Sequence, residues 1–209
     1  MTWDNTHSME DFDFYRTIQA PSEGFYKDKG SKFYAFAYPI ETEEAFKEKL
    51  QILKKQFHDA RHHVYAFRLG AEKKIFRASD DGEPANSSGP PVLGQIQSYN
   101  LTNIMIVVIR YFGGTKLGIP GLINAYRSAA VDAIEHATII ERTEKKQVAI
   151  HFEYPDMNLI MRFIKEEDLE VLEQDFQLSC TIRLAVRKRD VEEVIERVNK
   201  LEKATAEVL

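Results

Sequence analysis

The sequence predicts an α+β protein of two domains, residues 1–142 and 143–209. Strand-like runs rich in β-branched and aromatic residues alternate with amphipathic, helix-like segments along the chain. The charged stretch ERTEKK, residues 141–146, separates the two parts and is interpreted as a linker. After it the chain has a βαββαβ order. The predicted elements are strand 148–154, helix 156–165, strands 169–173 and 177–186, helix 191–201 and strand 204–209.

The first predicted domain opens with a strand, a helix and a hairpin. The aromatic run Lys32–Ile40 is typical of a strand. Thr42 then precedes two glutamates and hydrophobic residues at helical spacing, which indicates an N-capped amphipathic helix. Residues 62–69 and 73–78 flank a short glycine-containing turn and are predicted to pair as a hairpin.

A long loop, a helix, a buried strand and a second helix complete this domain. Residues 79–91, SDDGEPANSSGPP, have no periodicity, and a loop of this length is usually functional or disordered. A short helix is predicted over 92–99, and NIMIVVI, residues 103–109, is typical of a fully buried strand. In the next helix Pro120 fits the first position. One face of that helix holds Leu122, Tyr126, Ala129, Ala133 and Ala137.

The composition is that of an ordinary soluble globular protein. Of the 209 residues 44% are hydrophobic and 29% charged, with a formal net charge of −5. The longest aliphatic run, Ile104 to Ile109, is too short to cross a bilayer. The N-terminal stretch MTWDNTHSMEDFDFYR lacks the apolar centre of a secretory signal, and the lone Cys180 cannot form an internal disulfide. We therefore expect a cytoplasmic protein without a membrane partner; the sequence leaves its oligomeric state open.

The segment RYFGGTKLG, residues 110–118, joins the buried strand to the last helix of this domain. Glycine N–H groups and the positive end of a helix suit an anion, Arg110 and Lys116 add positive charge, and two aromatic rings offer stacking faces. The spacing fits neither G-x-G-x-x-G nor a P-loop. Alternatively, the glycines serve only a tight turn. The predicted anion- or nucleic-acid-binding residues are Arg110, Tyr111, Phe112, Gly113, Gly114, Lys116, Gly118 and His62.

The acidic loop, with Asp80, Asp81 and Glu83, has three interpretations. These carboxylates can bind Mg²⁺ or Ca²⁺, cap turns, or clamp an Arg or Lys side chain. The EF-hand pattern does not fit, and no Cys/His cluster has zinc spacing, so we predict no metal site and no cofactor. His62 and His63 open a predicted strand and are interpreted as satisfied or half-exposed histidines rather than general bases.

Basic residues are concentrated in residues 54–77. Such a segment can meet a polyanion, or it can form a solvated charged face. Its basic residues are Lys54, Lys55, Arg61, Arg68, Lys73, Lys74 and Arg77.

The chain resembles the IMPACT family in its bacterial, YigZ-like branch. The resemblance rests on ASDDGEP, the Asn/Ser/Gly loop that follows it, and NIMIVVIRYFGGTKLGIPGLINAYRSAA. The likeness covers nearly the whole chain, including SKFYA, RHHVYAFRLG and residues 145–209. Residues 80–84 match the acidic loop of the family, and the glycine-rich segment with Gly121 matches its signature. Two positions depart from the pattern. Pro120 replaces a flexible glycine and removes one N–H donor, and Asn124 stands where arginine is common.

The resemblance implies a two-layer α/β fold for the N-terminal domain, as in GHMP kinases, a small-subunit ribosomal protein and domain IV of elongation factor G. It implies a ferredoxin-like C-terminal domain similar to the last domain of that factor. This pairing favours contact with RNA or the ribosome. Eukaryotic relatives act in translational control by competing for an activator of a stress-responsive kinase, but they carry a different accessory domain.

We therefore predict a non-catalytic binding protein that contacts RNA, the ribosome or a translation factor through an anion-accepting glycine-rich turn. The alternative is an enzyme acting on a phosphorylated small molecule or nucleotide, with Mg²⁺ at the acidic loop. In a third interpretation Asp80 or Asp81 pairs with Arg110 or Lys116, the loop is fastened over the sheet, and protein–protein contact is the function.

Overall fold

The computed structural model describes residues 14–177 and 179–209, so most of the N-terminal stretch inspected for a secretory signal lies outside the described residues. These residues divide into two compact units. The N-terminal unit is Tyr15–Arg142, and the C-terminal unit is Thr143–Leu209 together with Phe14. The mixed helix and strand content confirms the predicted α+β class.

Five antiparallel strands of the N-terminal unit form a sheet in the order β2-β3-β6-β4-β5, and β1 pairs with β7. Along the chain the elements are β1 (Phe14–Ile18), β2 (Ser22–Asp28), β3 (Ser31–Pro39), α1 (Glu43–Gln56), β4 (His62–Leu69), β5 (Ile75–Ser79), α2 (Gly89–Ser98), β6 (Ile104–Tyr111), α3 (Gly118–Glu135) and β7 (Ile139–Thr143).

Helices cover both faces of this sheet. Alternate side chains of β3 point to opposite faces, so Phe33 packs with residues of α2 and α3, whereas Phe36 packs with residues of α1. The central strand β6 is apolar and buried from Ile104 to Ile109, which requires cover on either side. The arrangement therefore has three layers, and the prediction of two layers is wrong because α1 covers the second face.

The helix α1 forms as its sequence predicts. The Thr42 hydroxyl accepts a hydrogen bond from the Ala45 N–H at 3.1 Å and so caps the first turn. Phe46 and Leu53 lie on one face of the helix and are buried against the sheet. The charged residues between them remain on the solvent side.

The C-terminal unit is a four-stranded sheet in the order β11-β8-β10-β9. Its elements are β8 (Lys145–Glu153), α4 (Met157–Glu166), β9 (Glu170–Phe176), β10 (Ser179–Arg187), α5 (Val191–Asn199) and β11 (Ala204–Val208). The order is the predicted βαββαβ. Alternate residues of β8 and β10 form one apolar core with α4 and α5.

Three details of the sequence interpretation are wrong. The stretch 141–146 is not a linker, because β7 continues to Thr143 and β8 begins at Lys145. Pro120 is the third residue of α3 rather than the first. The strands β1, β2 and β7 were not expected, since each sequence is interrupted by charged residues and lacks a clear apolar alternation.

We predict that Gly24→Ala destabilises the N-terminal unit. A Cβ at Gly24 in β2 would lie 2.3 Å from the Ala133 nitrogen and 2.8 Å from the Ala129 oxygen, both in the backbone of α3. Because neither atom can rotate away, we expect a loss of about 1–3 kcal/mol in the free energy of unfolding, measured by urea denaturation.

Gly94→Ala in α2 is the matched control, because its Cβ would meet no atom within 4 Å. This variant is expected to gain about 0.5–1 kcal/mol, as alanine favours a helix interior. Equal shifts for the two variants would contradict the close approach of β2 and α3.

Candidate functional site

A cleft of about 690 Å³ lies in the N-terminal unit where β4 begins and β6 ends. His62 pairs directly with Arg110 across these neighbouring strands, which explains why the two meet there. Most predicted binding residues line the cleft together with Glu83 of the acidic loop: His62, Arg110, Tyr111, Phe112, Lys116 and Gly118. Of the other lining residues, Asp59, Ala60 and Ile119 were not singled out in the sequence. Pro84 and Leu117 were noted only within the family motifs, Leu122 only on the apolar face of a helix, and Arg61 only in the basic segment.

Arg110 is held by an internal ion pair at the floor of this cleft. Its Nη1 donates to Glu83 Oε1 at 2.7 Å, and the two side chains are only 8% and 4% exposed. The Tyr126 hydroxyl of α3 donates to the same oxygen at 2.7 Å. Burial, followed by the Glu83 charge, raises the pKa of Tyr126, so this hydroxyl remains a donor. The acidic loop is thus joined to Arg110 of β6 by an ion pair, but the partner is Glu83 rather than Asp80 or Asp81.

One edge of the Arg110 guanidinium still lacks an internal acceptor. Within the described residues its buried Nε has no hydrogen-bond partner. The guanidinium carbon lies 5.6 Å from the ring centres of both Phe33 and Phe112, within cation–π range. Arg110 is therefore fixed in place by Glu83 and by the two rings, while its buried Nε has no internal acceptor.

Asp80 caps the helix α2 instead of facing a ligand. Its Oδ1 accepts from the Ser88 hydroxyl at 2.7 Å and from the Gly89 N–H at 2.8 Å, and its Oδ2 accepts from the Asn86 N–H. Burial opposes ionisation of this carboxyl, but the hydrogen bonds outweigh it and lower the pKa of Asp80. Asp80 lies six to nine residues before the residues whose hydrogen bonds it accepts, and a cap at that distance is not apparent from the sequence.

Asp81 and the two histidines form a separate set of contacts. The Asp81 carboxylate accepts from the His63 N–H at 2.6 Å, and its backbone carbonyl lies 2.8 Å from His62 Nδ1. Because a carbonyl only accepts, His62 donates its Nδ1–H to Asp81. His63 is 6% exposed, and this burial lowers its pKa.

The glycines of the turn have two different roles. A Cβ at Gly113 would lie 1.9 Å from the Gly30 carbonyl carbon, and the Gly113 N–H donates to Ser31 Oγ, so this glycine permits close packing on the β2–β3 turn. Gly114 has φ of +90° and Gly118 has φ of +72°, which L side chains rarely adopt. Residues 112–116 are exposed, so the corner is open rather than sealed by its neighbours.

Main-chain donors at this corner remain available. Within the described chain no internal acceptor is found for the N–H groups of residues 114–117, and α3 begins without a side-chain cap or an acidic residue in its first turn. Pro120 removes one further donor, as its position predicts. Lys116 and Leu117 line the cleft, as do Gly118 and Ile119 at the positive end of α3.

The basic segment 54–77 is not one surface. Lys74 pairs with Glu72 at 2.8 Å and Arg77 with Glu43 at 3.2 Å, both away from the cleft. The first and last residues of β4 are roughly 24 Å apart, so the cations at the two ends cannot act at one site. Within the described residues Arg61 is the member of this segment that lines the cleft. Arg61 and Lys116 have no carboxylate partner in the described chain.

The β2–β3 turn contributes basic residues that sequence reasoning missed. Its sequence KDKGSK places Lys27, Lys29 and Lys32 beside Gly30, which is in contact with Gly113. All three lysines are exposed. The alternation of lysines around a Gly-Ser turn was the available signal, but nothing in the local sequence indicates that this turn packs against residue 113.

Within residues 14–177 and 179–209, no group of three or more His, Cys, Asp or Glu side chains is placed to hold a metal ion. In the same part of the chain, every helix is too short or too polar to cross a membrane.

Comparison with known proteins places these features in a family context. The family model described as the Impact N-terminal domain matches residues 29–134. The chain is 27% identical to the IMPACT family member YvyE of Bacillus subtilis (strain 168), over 93% of this chain and 89% of that protein. It is 30% identical to the IMPACT family member YigZ of Escherichia coli (strain K12), over 79% of this chain and 82% of the relative.

A solved structure described as the crystal structure of a hypothetical protein has a similar fold. It superposes with a TM-score of 0.72 at 27% sequence identity, and the match covers 94% of this chain and 97% of the other. The likeness therefore extends over both units.

We predict that Glu83→Gln destabilises the N-terminal unit by about 3–5 kcal/mol, because it leaves the buried Arg110 charge without its counter-ion. Urea denaturation followed by far-UV circular dichroism measures this loss.

Glu41→Gln is the matched control, since Glu41 is 71% exposed and pairs with Arg142 at 3.5 Å. Exposed pairs contribute about 0–1 kcal/mol, so this variant should unfold nearly as the wild type does. A similar midpoint for both variants would show that the pair at the cleft floor is not essential to the fold.

Proposed function

The chain belongs to the IMPACT family, and from this premise and the geometry of its cleft we propose that it is a non-catalytic RNA-binding protein of the translation machinery. The observation that carries the proposal is the meeting of two unpaired cations, Arg61 and Lys116, with open N–H groups and the exposed ring of Phe112 around one cleft. Phosphate suits the cations and N–H groups, and a base suits the ring.

The proposed division of roles follows from burial. Lys116 and Arg61 contact phosphate directly because both are exposed. Phe112, which is 59% exposed, stacks on a base. Arg110 is a positioning residue: its ion pair with Glu83 holds the acidic loop against the end of β6 at the cleft floor. The glycines at 114 and 118 allow the backbone to approach the phosphate.

The carboxylates of the acidic loop support binding over Mg²⁺-dependent catalysis. Asp80 is engaged in capping α2, Asp81 accepts from the backbone of β4, and Glu83 is paired with Arg110. A metal ligand or general base needs an oxygen directed at the substrate. Each of the three carboxylates already has an internal partner. The acidic loop therefore favours binding over an enzyme that would need one of them as a Mg²⁺ ligand or general base.

Fold analogy is consistent with a role in translation and is part of the proposal. We take residues 143–209 as a ferredoxin-like domain, supported by the strand order β11-β8-β10-β9. We take residues 1–142 as a domain related to those of ribosomal proteins and elongation factor G, with α1 as an addition on the second face. The resemblance implies a role in translational control for eukaryotic members of the family. A fold alone does not fix a function, so the cleft carries the argument.

We predict that Arg61→Ala/Lys116→Ala weakens binding of labelled single-stranded RNA and tRNA, measured by fluorescence anisotropy at low and moderate salt. Each lost phosphate contact should reduce the slope of log affinity against log salt by about 0.7 for a single strand. The wild type is expected to bind with a Kd of about 1–100 μM at physiological salt.

Lys74→Ala/Arg77→Ala removes the same charge from the far part of the β4–β5 hairpin and serves as the control. It should retain the wild-type affinity and salt slope. Equal losses in the two double variants would indicate a general charge effect, and no binding by the wild type at low salt would refute the proposal.

We further predict that Phe112→Ala weakens RNA binding by about 1–3 kcal/mol with little change in salt slope, because it removes stacking and no charge. Phe76→Ala on β5 is the control, since Phe76 is 54% exposed and does not line the cleft. Isothermal anisotropy titrations at one salt concentration compare the two. Wild-type affinity for Phe112→Ala would remove the stacking part of the proposal.

A further inference from the structure

The sheet face under α1 is incompletely covered toward its β2 edge. Directly opposed residues of neighbouring strands lie on the same face, and here Phe25 of β2 is opposite Tyr34 of β3. Their ring centres are 5.0 Å apart, and Phe25 is 46% exposed. Tyr34 also contacts Tyr111, with ring centres 6.1 Å apart, so an aromatic row crosses β6, β3 and β2.

This aromatic row begins at the cleft. Tyr111 lines the cleft and belongs to the row, and its hydroxyl donates to Asp59 at 2.7 Å, which fixes the ring. The row therefore continues the proposed binding site out of the cleft and across two strand spacings of about 4.8 Å each.

Two lysines lie beside the row at the end of β2 and the start of β3. Lys32 is opposite both Tyr111 and Lys27, so the two lysines lie on the same face as the three rings. Both are exposed and have no carboxylate partner within the described residues. On this face of β2 the acid Glu23 lies opposite Phe36, two positions beyond Phe25 and away from the lysines.

Protection of the sheet edge explains only part of this pattern. Lysines on an edge strand oppose pairing with another sheet, and Lys27 on β2 fits that role. Lys32, however, is on β3, which is paired on both sides. A lysine on an interior strand, beside one exposed ring and two partly exposed rings, instead matches the combination of stacking faces and cations that single-stranded nucleic acid requires.

Building on the proposed function, we infer that the site extends beyond the cleft as a sheet-face platform, formed by Phe25, Tyr34, Tyr111, Lys27 and Lys32, for a single strand of RNA. The nucleotide in the cleft is held by Lys116 and Phe112. The following nucleotides cross β6, β3 and β2, with bases on the rings and phosphates at the lysines. The ligand is thus a single-stranded segment of several nucleotides rather than a mononucleotide or a duplex.

The experiment compares labelled oligouridylates of two, four and eight nucleotides by fluorescence anisotropy at low salt, using the full chain. The platform variants are Lys27→Ala/Lys32→Ala and Phe25→Ala, and the cleft variant is Arg61→Ala/Lys116→Ala. We expect wild-type affinity to rise about tenfold or more from two to eight nucleotides. The platform variants should bind the dinucleotide as the wild type does and the octanucleotide about tenfold more weakly.

The cleft variant distinguishes the two proposals, because it should lose affinity at every length. Platform variants that match the wild type at eight nucleotides, with the cleft variant impaired, would overturn the platform and leave the cleft proposal standing. A cleft variant that binds normally at all lengths would overturn the proposed function itself.

Platform variants that alter only the oligomeric state, measured by light scattering, would assign this face to a second copy of the chain and also overturn the platform. Unchanged urea midpoints verify that these exposed substitutions leave the fold intact.

Discussion

The ion pair between Arg110 and Glu83 joins parts of the N-terminal unit that are far apart in sequence. Arg110 ends the central strand β6, Glu83 belongs to a loop without regular structure, and Tyr126 of α3 donates to the same carboxylate oxygen. Burying both charges costs free energy that offsets much of their attraction, so the pair fixes the positions of these segments more than it adds to the free energy of unfolding. Strand, loop and helix are thereby fixed around one oxygen atom, and the walls of the cleft depend on that contact.

This arrangement divides the charges of the site into an inner and an outer set. The inner carboxylates of the acidic loop are neutralised by a guanidinium, a helix start and a strand N–H, whereas Arg61 and Lys116 outside them remain without acidic partners in the described chain. The carboxylate of Asp59, which accepts from the Tyr111 hydroxyl, also lines the cleft. In the proposed function, an anion pairs with Arg61 and Lys116 and does not have to displace an existing ion pair.

Local patterns in the sequence were sufficient for elements whose signal lies within one segment. The cap at Thr42, the apolar run of β6 and the βαββαβ order are of this kind. Contacts between distant segments were predicted only in outline. A clamp between the acidic loop and an Arg or Lys was one of three interpretations, but local sequence did not identify Glu83 as the partner of Arg110, 27 residues downstream. Likewise, residue 113 must be glycine because the β2–β3 turn packs against it, and the sequence around residue 113 does not indicate that contact.

The acidity of the whole chain does not argue against a binding site for RNA. The net charge of −5 is distributed over 209 residues, and exposed charges are screened beyond about 8 Å at physiological salt. A phosphate is affected mainly by the charges within that distance. Around the cleft and the β2–β3 turn the unpaired cations, Arg61, Lys116, Lys27, Lys29 and Lys32, outnumber the carboxylates Asp59 and Asp28. With few such cations, electrostatic attraction alone is weak. Stacking on exposed rings has to supply a large share of the affinity, so the site should discriminate unpaired bases from duplex, whose bases have no free face to offer.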